Sequence, residues 1–309
     1  MAADGALRID ASPDRLIPMI AGLGAVTAVT RNRSCVIEKT GIYDNFHPGQ
    51  HAAMVLTPEI DLRIFPRHWV TAFAVGQEAP PDDVRGIRVF DAAGDPVHEV
   101  FTGPETDAAH WQRLVDTLRT AEQSDNLPVS PRKPVERPRV NAAKAGELRA
   151  QWEKLTDTHQ FLRLTSKLGM NRLGAYRIAG EPFVRRLSPS AVGQALDAVA
   201  ERALEVMIFV GNMGCIEIHG GPIAQIDRSD RWWKAQSDGF AMHLLADRIS
   251  EVWAVDKPTR RGAAVSLEAF DDEGALVFQI FARRTERRDF RHGWDALVAG
   301  LQSHEGVRG

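Results

Sequence analysis

The chain has 309 residues, 44% of them hydrophobic and 26% charged, which is enough apolar material for a substantial core and, by length, for about two domains. A formal net charge of −3 argues against a general nucleic-acid binder, and no apolar run approaches the ~18 residues of a membrane span. The first ten residues lack a basic segment followed by an apolar stretch, so the expected location is the cytoplasm.

In chain order, Ser12-Pro13 predicts a helix start, with the serine hydroxyl as N-cap and proline at the first helical position. Strands are expected over 61–65, 71–75, 86–90 and 97–101, with hairpin chemistry in Phe90-Asp-Ala-Ala-Gly-Asp95, and a helix over 111–118. Pro128, Pro131, Pro134 and Pro138 then alternate with Arg132, Lys133, Arg137 and Arg139, a composition that reads as a solvated linker. A helical stretch over 157–178 follows. Ser188-Pro189 repeats the first helix signal, and Val192, Leu196 and Val199 keep helical spacing behind it. Residues 206–210, Val-Met-Ile-Phe-Val, form a core strand; Phe270-Asp-Asp-Glu-Gly-Ala275 is a second hairpin, and residues 294–301 a closing helix.

The second half repeats the first at a constant offset of 180 residues, seen at Asn32/Asn212, Cys35/Cys215, Gly41/Gly221, Phe90-Asp91/Phe270-Asp271, Gly94/Gly274 and Phe101/Phe281. This divides the chain into an N-terminal repeat over 1–121, a Pro-rich basic linker over 122–147, and a C-terminal repeat over 148–309 that carries the extra helical stretch. Consecutive hairpins imply antiparallel pairing. Each repeat is therefore expected to be an α+β lobe, a large antiparallel sheet with flanking helices. The seam of a duplicated fold is a natural place for a large ligand. The only two cysteines sit at equivalent positions inside apolar segments, with no CxxC pair, and read as small core residues rather than a disulfide or a metal site.

Signatures of standard hydrolase or nucleotide chemistry are missing: there is no HExxH, Walker loop, GxSxG or strand-placed GxGxxG. The segment Leu155-Thr-Asp-Thr-His-Gln-Phe-Leu162 stands out. Asp157 with Gln160 fits a capping box and leaves His159 in the first turn. Phe161, Leu164 and Leu168 make the buried stripe, and at ~100° per residue His159 projects nearly opposite to it. A helix N-terminus disfavours the imidazolium, which helps keep the ring neutral and able to ligate a metal; a surface or capping role is the competing reading. Arg63 shares a strand face with Asp61 and Phe65, opposite Leu62 and Ile64, which leaves two roles open: a cation pointing into a cleft, or a local ion pair with Asp61.

Five separated segments, Val29-Thr-Arg-Asn-Arg-Ser-Cys35, Ile60-Asp-Leu-Arg-Ile-Phe65, Leu155-Thr-Asp-Thr-His-Gln-Phe161, Ile208-Phe-Val-Gly-Asn-Met-Gly-Cys215 and Val255-Asp-Lys-Pro-Thr259, agree in order and content with one family. The chain resembles, over nearly its whole length, the HemS-type cytoplasmic haem-utilisation proteins, also described as hemin-transport or hemin-degrading factors. The resemblance implies haem held between the lobes, His159 as proximal iron ligand and Arg63 as distal arginine. It also implies Arg172, Lys257 and Arg284 at the propionates or rim, charges that would ordinarily be solvated.

Two departures stand against the family pattern. Phe281 replaces a tyrosine near the haem, losing a hydroxyl but leaving Arg283 and Arg284 beside it, and the first repeat has no counterpart of residues 157–178. The implied function is trafficking or degradation of imported haem, with a haem importer or a haem oxygenase as protein partner; the distal arginine suits an oxidative ring-opening reaction by stabilising negative charge at the iron. A carrier and a degrading enzyme need the same pocket. A non-haem tandem-repeat interaction module is the alternative from a different class.

Overall fold

The 180-residue offset reappears as matched secondary structure in the computed structural model, which describes residues 5–76, 85–124 and 127–304. The first repeat runs β1 (Leu7–Ile9), α1 (Pro13–Ala21), β2 (Val26–Arg31), β3 (Cys35–Gly41), β4 (Phe46–His47), β5 (Ala53–Leu56), β6 (Asp61–Ile64), β7 (Thr71–Val75), β8 (Gly86–Phe90), β9 (Pro96–Thr102) and α2 (Ala108–Leu118). Three helices follow, α3 (Ala145–Trp152), α4 (Gln160–Lys167) and α5 (Arg172–Ala179). The second repeat is β10 (Val184–Leu187), α6 (Ala191–Glu201), β11 (Val206–Gly211), β12 (Cys215–Gly221), β13 (Gln225–Arg228), β14 (Trp232–Ser237), β15 (Phe240–Leu245), β16 (Ile249–Lys257), β17 (Ala264–Asp271), β18 (Leu276–Ala282) and α7 (Arg291–Gly300). Strands β2, β3 and β9 are displaced from β11, β12 and β18 by the same 180 residues at both ends.

The α+β expectation holds, with two nine-stranded sheets. One has the order β1-β7-β8-β9-β2-β3-β15-β14-β13 and the other β10-β16-β17-β18-β11-β12-β6-β5-β4. Each takes six strands from one repeat and three from the other. The chain divides into two compact units, one of Met1–Lys133, Phe209–His219 and Gln236–His243, the other of Pro134–Ile208, Gly220–Ala235 and Leu244–Gly309. The first unit thus incorporates two segments of the second repeat.

In that first unit, β12 pairs antiparallel with β6, Cys215 opposite Ile64 and Glu217 opposite Leu62. The tight turns after β2 and β11 are fastened by their asparagines. Asn212 Nδ2 donates to the carbonyls of Arg31 and Val97, both at 2.9 Å, and its Oδ1 accepts from the backbone N–H of Gly214 and Cys215. Asn32, its repeat equivalent, does the same job in reverse: Nδ2 donates to Gly211 O at 3.3 Å and Oδ1 accepts from Ser34 and Cys35 N–H. A side-chain amide carries two donors and two acceptor sites, so one residue can close its own turn and tie down a neighbouring one. Leu16, Ile17 and Ile20 of α1 and Trp111, Leu114 and Leu118 of α2 belong to the apolar core of this unit. Both cysteines are buried, as expected, and burial pushes both thiols up.

Local signals are borne out at the hairpins. Asp91 Oδ1 accepts from Ala93 and Asp95 N–H, Asp271 Oδ1 from Glu273 and Ala275 N–H, and Gly94 and Gly274 take φ of 79° and 89°, which favours glycine. Two local expectations need correction. Ser12 precedes α1, but its hydroxyl makes no capping bond, and α6 starts at Ala191 behind Ser190 rather than at Ser188. The reason at α6 is a turn over 188–190, whose Ser188 and Pro189 carbonyls accept from Ala191 and Val192 N–H. The linker is irregular and mostly exposed, and it is also fastened to the fold at several points. Ser130 N donates to Ala92 O, Arg132 pairs with Asp95, Asn171 Oδ1 accepts from Arg139 N at 3.0 Å, and Asn171 Nδ2 donates to Arg137 O at 2.9 Å. Its last residues enter a 3-10 turn over 142–144 and then α3.

One buried group of this unit has a stability consequence. Glu217 is fully buried and neither carboxylate oxygen has a hydrogen-bond partner among the described residues. Burial pushes its carboxyl up to about 8, against the opposing influence of the Thr30 hydroxyl and the Lys39 charge. The native state therefore keeps a proton that the unfolded chain has released above about pH 4.5, so stability falls as pH rises from about 4.5 to 8. Glu217→Gln should be more stable than the parent at pH 8, by on the order of 2–4 kcal/mol, and nearly equal to it at pH 5. Urea denaturation at the two pH values checks this; a gap independent of pH would assign the proton to another group.

Candidate functional site

Helices α3, α4 and α5 pack into the second unit through Trp152, Phe161 and Tyr176, whose rings lie 4.4 to 6.0 Å apart between centroids. Trp152 Nε1 donates to Asp256 O at 2.8 Å, and Arg260 N to Thr156 O at 3.1 Å, so the chain around His159 is tied to the end of β16 and the loop after it. The stripe expected on α4 is present: Phe161, Leu164 and Leu168 are buried. The cap differs from expectation. Gln160 reaches back to Thr156, with Oε1 accepting from Thr156 N at 2.9 Å and Nε2 donating to Thr156 Oγ1 at 3.2 Å, while Asp157 Oδ1 accepts from His159 N at 2.8 Å. Because Asp157 turns the backbone before the helix, His159 itself is the N-cap and α4 begins at Gln160. His159 is exposed, and its imidazole has no hydrogen-bond or ion-pair partner among the described residues.

Lys257 and Arg172 are not the solvated charges their residue types suggest. Lys257 is 2% exposed, and its Nζ donates to Glu268 Oε1 at 2.6 Å and to Tyr176 Oη at 3.1 Å. Arg172 Nη1 and Tyr176 Oη both donate to Glu268 Oε2 at 2.8 Å, and Ser266 Oγ donates to Oε1 at 3.0 Å. Glu268 is fully buried. Burial alone would raise its carboxyl, but the charges and hydrogen bonds of Lys257 and Arg172 outweigh it and hold the group far below the usual carboxylate range. Burial draws Lys257 down from its ordinary value, with Glu268 opposing. Lys257 also sits 5.1 Å from the Phe161 ring centroid, which joins this charged cluster directly to α4.

Two openings border these elements. A cavity of about 150 Å³ is lined by Thr259, Arg261, Phe281, Arg284, Arg291 and Asp295, together with small residues of β17 and β18. It brings Phe281, on β18, together with Arg284, just beyond that strand. Arg284 faces Asp289 at 3.7 Å. A wider groove of about 720 Å³ runs along α3 and α4, past Leu155, Gln160 and the exposed Leu162.

Arg63 belongs to the first unit. Leu62 and Ile64 are buried and Arg63 half-buried, as alternation requires, and Arg63 Nη1 pairs with Asp61 and donates to Leu62 O at 3.1 Å. The ion pair is thus made, and Nε and Nη2 keep no partner among the described residues. Sequence reasoning missed Glu268 and Tyr176. Only Glu268 left a signal, a lone charge inside the apolar run Val265-Ser-Leu-Glu-Ala-Phe270.

The model of the haemin-degrading HemS/ChuX domain matches residues 1–118 and 169–301, one match in each repeat. The chain belongs to the HemS family. HemS relatives resemble it along almost the whole chain. It is 31% identical to the hemin transport protein HemS of Yersinia enterocolitica over 97% of this chain and 87% of that protein. Among solved structures, the haem-binding protein PhuS of Pseudomonas aeruginosa, in its holo form, superposes with a TM-score of 0.91 at 36% identity, covering 97% of this chain and 87% of that one. The haem-degrading enzyme ChuS of Escherichia coli O157:H7 follows at 0.87 and 28%, covering 96% and 87%. The residues matched by the HemS domain leave out 119–168, and with them His159.

Glu268 is expected to dominate the stability of this region. Removing its charge by Glu268→Gln leaves Lys257 buried without a counter-ion, at a cost of about 3–5 kcal/mol. A carboxyl held low in the native state stabilises above its unfolded value and loses that contribution as pH falls. The difference in thermal or urea stability between parent and variant should therefore be full at pH 7 and shrink below about pH 4.5; a gap that stays constant would place the charge elsewhere.

Proposed function

We propose that this chain binds haem in the cytoplasm as cargo or substrate, with His159 as the iron ligand and Arg63 as the distal arginine that the family resemblance implies. The observation that carries the reading is the imidazole of His159, exposed and partnerless at the head of a helix whose other face is locked onto the Lys257–Glu268 cluster. A neutral imidazole is an ordinary haem ligand, and a ring without competing hydrogen bonds needs no rearrangement to serve as one. Phe281 offers an apolar wall for a porphyrin edge, and Arg284 beside it a partner for a carboxylate. Arg172 and Lys257, which the family resemblance assigns to the propionates or rim, enter this reading through Glu268, as the charged support beneath α4 and α5.

Arg63 uses one nitrogen on Asp61 and Leu62, which orients the guanidinium and leaves Nε and Nη2 for a ligand. Such a cation would stabilise negative charge on a group bound to the iron, which would serve either retention of ferric haem or its oxidative opening. The relatives' names include both a transport protein and a haem-degrading enzyme, and these residues would serve haem taken from an importer, handed to a haem oxygenase, or degraded in place. Titrating purified protein with hemin and then adding a reductant in air separates these. A Soret band that survives marks a carrier, loss of the band with iron release marks degradation, and no spectral change with hemin overturns the haem reading in favour of a non-haem interaction module.

His159→Ala should shift the Soret band and weaken hemin affinity at least about tenfold, whereas His243→Ala, 180 residues on from Arg63 and paired with Glu38 at 3.7 Å, should leave both nearly unchanged. Equal behaviour of the two variants in a spectral titration would remove His159 as the ligand. Arg63→Ala should raise, by about one pH unit, the pH at which the bound ferric haem passes from its acid to its alkaline spectrum, because a cation that favoured the anionic form is gone. A spectrophotometric pH titration that superposes on the parent's would exclude this role.

A further inference from the structure

We infer that Arg261 is a carboxylate-binding residue, which works with Arg284 to receive the two propionates of haem in the cavity between β17, β18 and α7. The inference rests on the haem reading above and adds a residue to it. At about 150 Å³ the cavity admits one or two carboxylate groups, but not a porphyrin ring. Its charged lining consists of the guanidinium groups of Arg261, Arg284 and Arg291 and the carboxylate of Asp295, an excess of positive charge that persists after Asp289 is counted against Arg291 and that suits a carboxylate.

The three arginines are not equivalent. Arg291 is already spent: its Nε and Nη2 donate to Asp289, and its Nη1 donates to Arg261 O at 2.6 Å. Hydrogen bonds from Arg291 hold Asp289 down at about 2, so that pair stays ionised over the physiological range. Arg284 has only the 3.7 Å contact with Asp289 and remains able to turn to a new anion. Arg261 is the opposite of Arg291. Its backbone is clamped, N–H donating to Thr259 Oγ1 at 3.1 Å and carbonyl accepting from Arg291 Nη1, and the turn continues through Gly262 at φ 101°. Its guanidinium is exposed and has no hydrogen-bond or ion-pair partner among the described residues. A fixed base with a free five-donor head is the arrangement that binds a carboxylate with little ordering cost.

The other cations near the site are less available. Lys257 and Arg172 both spend donors on Glu268, and withdrawing either would strand part of a buried carboxylate. Phe281 has no side-chain donor, so with Arg291 engaged Arg261 and Arg284 are the guanidinium donors left on this wall.

Hemin and its dimethyl ester, titrated against the parent, Arg261→Gln, Arg261→Lys and Arg287→Gln, test the inference; Arg287 is an exposed arginine outside the cavity lining. The expected result is a loss of hemin affinity in Arg261→Gln of about tenfold, partial recovery in Arg261→Lys, no change in Arg287→Gln, and no change in affinity for the ester in any variant. Arg261→Gln binding hemin like the parent, or losing hemin and ester equally, would overturn the assignment while leaving haem binding intact. A parent protein that shows no Soret change with hemin would overturn both readings.

Discussion

The second unit is organised around one carboxylate. Glu268 is fully buried on β17, and its two oxygens accept from Lys257 at the end of β16, Arg172 and Tyr176 on α5, and Ser266 on its own strand. A charge removed from water is tolerated only when its lone pairs are filled and its sign is answered, and here both conditions are met by residues from three elements. The consequence is positional. The helices after the linker pack on Val184, Trp253, Val255 and Phe270 of the sheet, and the charge cluster adds a directional tie between α5 and strands β16 and β17. Through Phe161, stacked at 5.5 Å on Tyr176, the same cluster sets the start of α4 and therefore the place of His159.

The first unit solves a different problem. Duplication gives two copies of one sheet, and the strand orders show that three strands of each copy are completed in the other copy's sheet. Neighbouring turns must then be held in register by something other than chain connectivity. Asn32 and Asn212 do this with reciprocal bonds, each closing its own turn and donating to the carbonyl beside the other. Their identity at matched positions follows from the geometry, since only a short amide side chain has both the donors and the acceptor for the two tasks.

Polar burial divides the molecule into groups that are answered and groups that are not. His98 is held between Thr30 Oγ1 and Tyr43 Oη at 3.0 and 2.7 Å, and burial pushes it down to about 3, so it remains a neutral structural ring. Glu268 is ionised and saturated. Glu217 is buried without either remedy and keeps its proton instead. The side chains of His159 and Arg261 have no polar partner among the described residues, and Arg63 keeps Nε and Nη2 beyond its local contacts with Asp61 and Leu62.

The sequence by itself determined the features that depend on neighbours along the chain. The 180-residue repeat, the Asp-Gly hairpins, the stripe of Phe161, Leu164 and Leu168, the alternation around Arg63 and the burial of both cysteines were legible because turn chemistry and side-chain period act over a few residues. The family motifs were legible because they are contiguous. Tertiary structure alone decided what lies across long separations: that Lys257 and Arg172 are tied to Glu268, that Arg137 and Arg139 of the linker are strapped to Asn171, that Gln160 caps from Thr156 rather than Asp157, and which strands complete which sheet. The physical reason is that the state of a charge is set by its partner's distance and by the water around it. A lysine or an arginine carries no mark in the sequence of whether a glutamate, a carbonyl or solvent will face it.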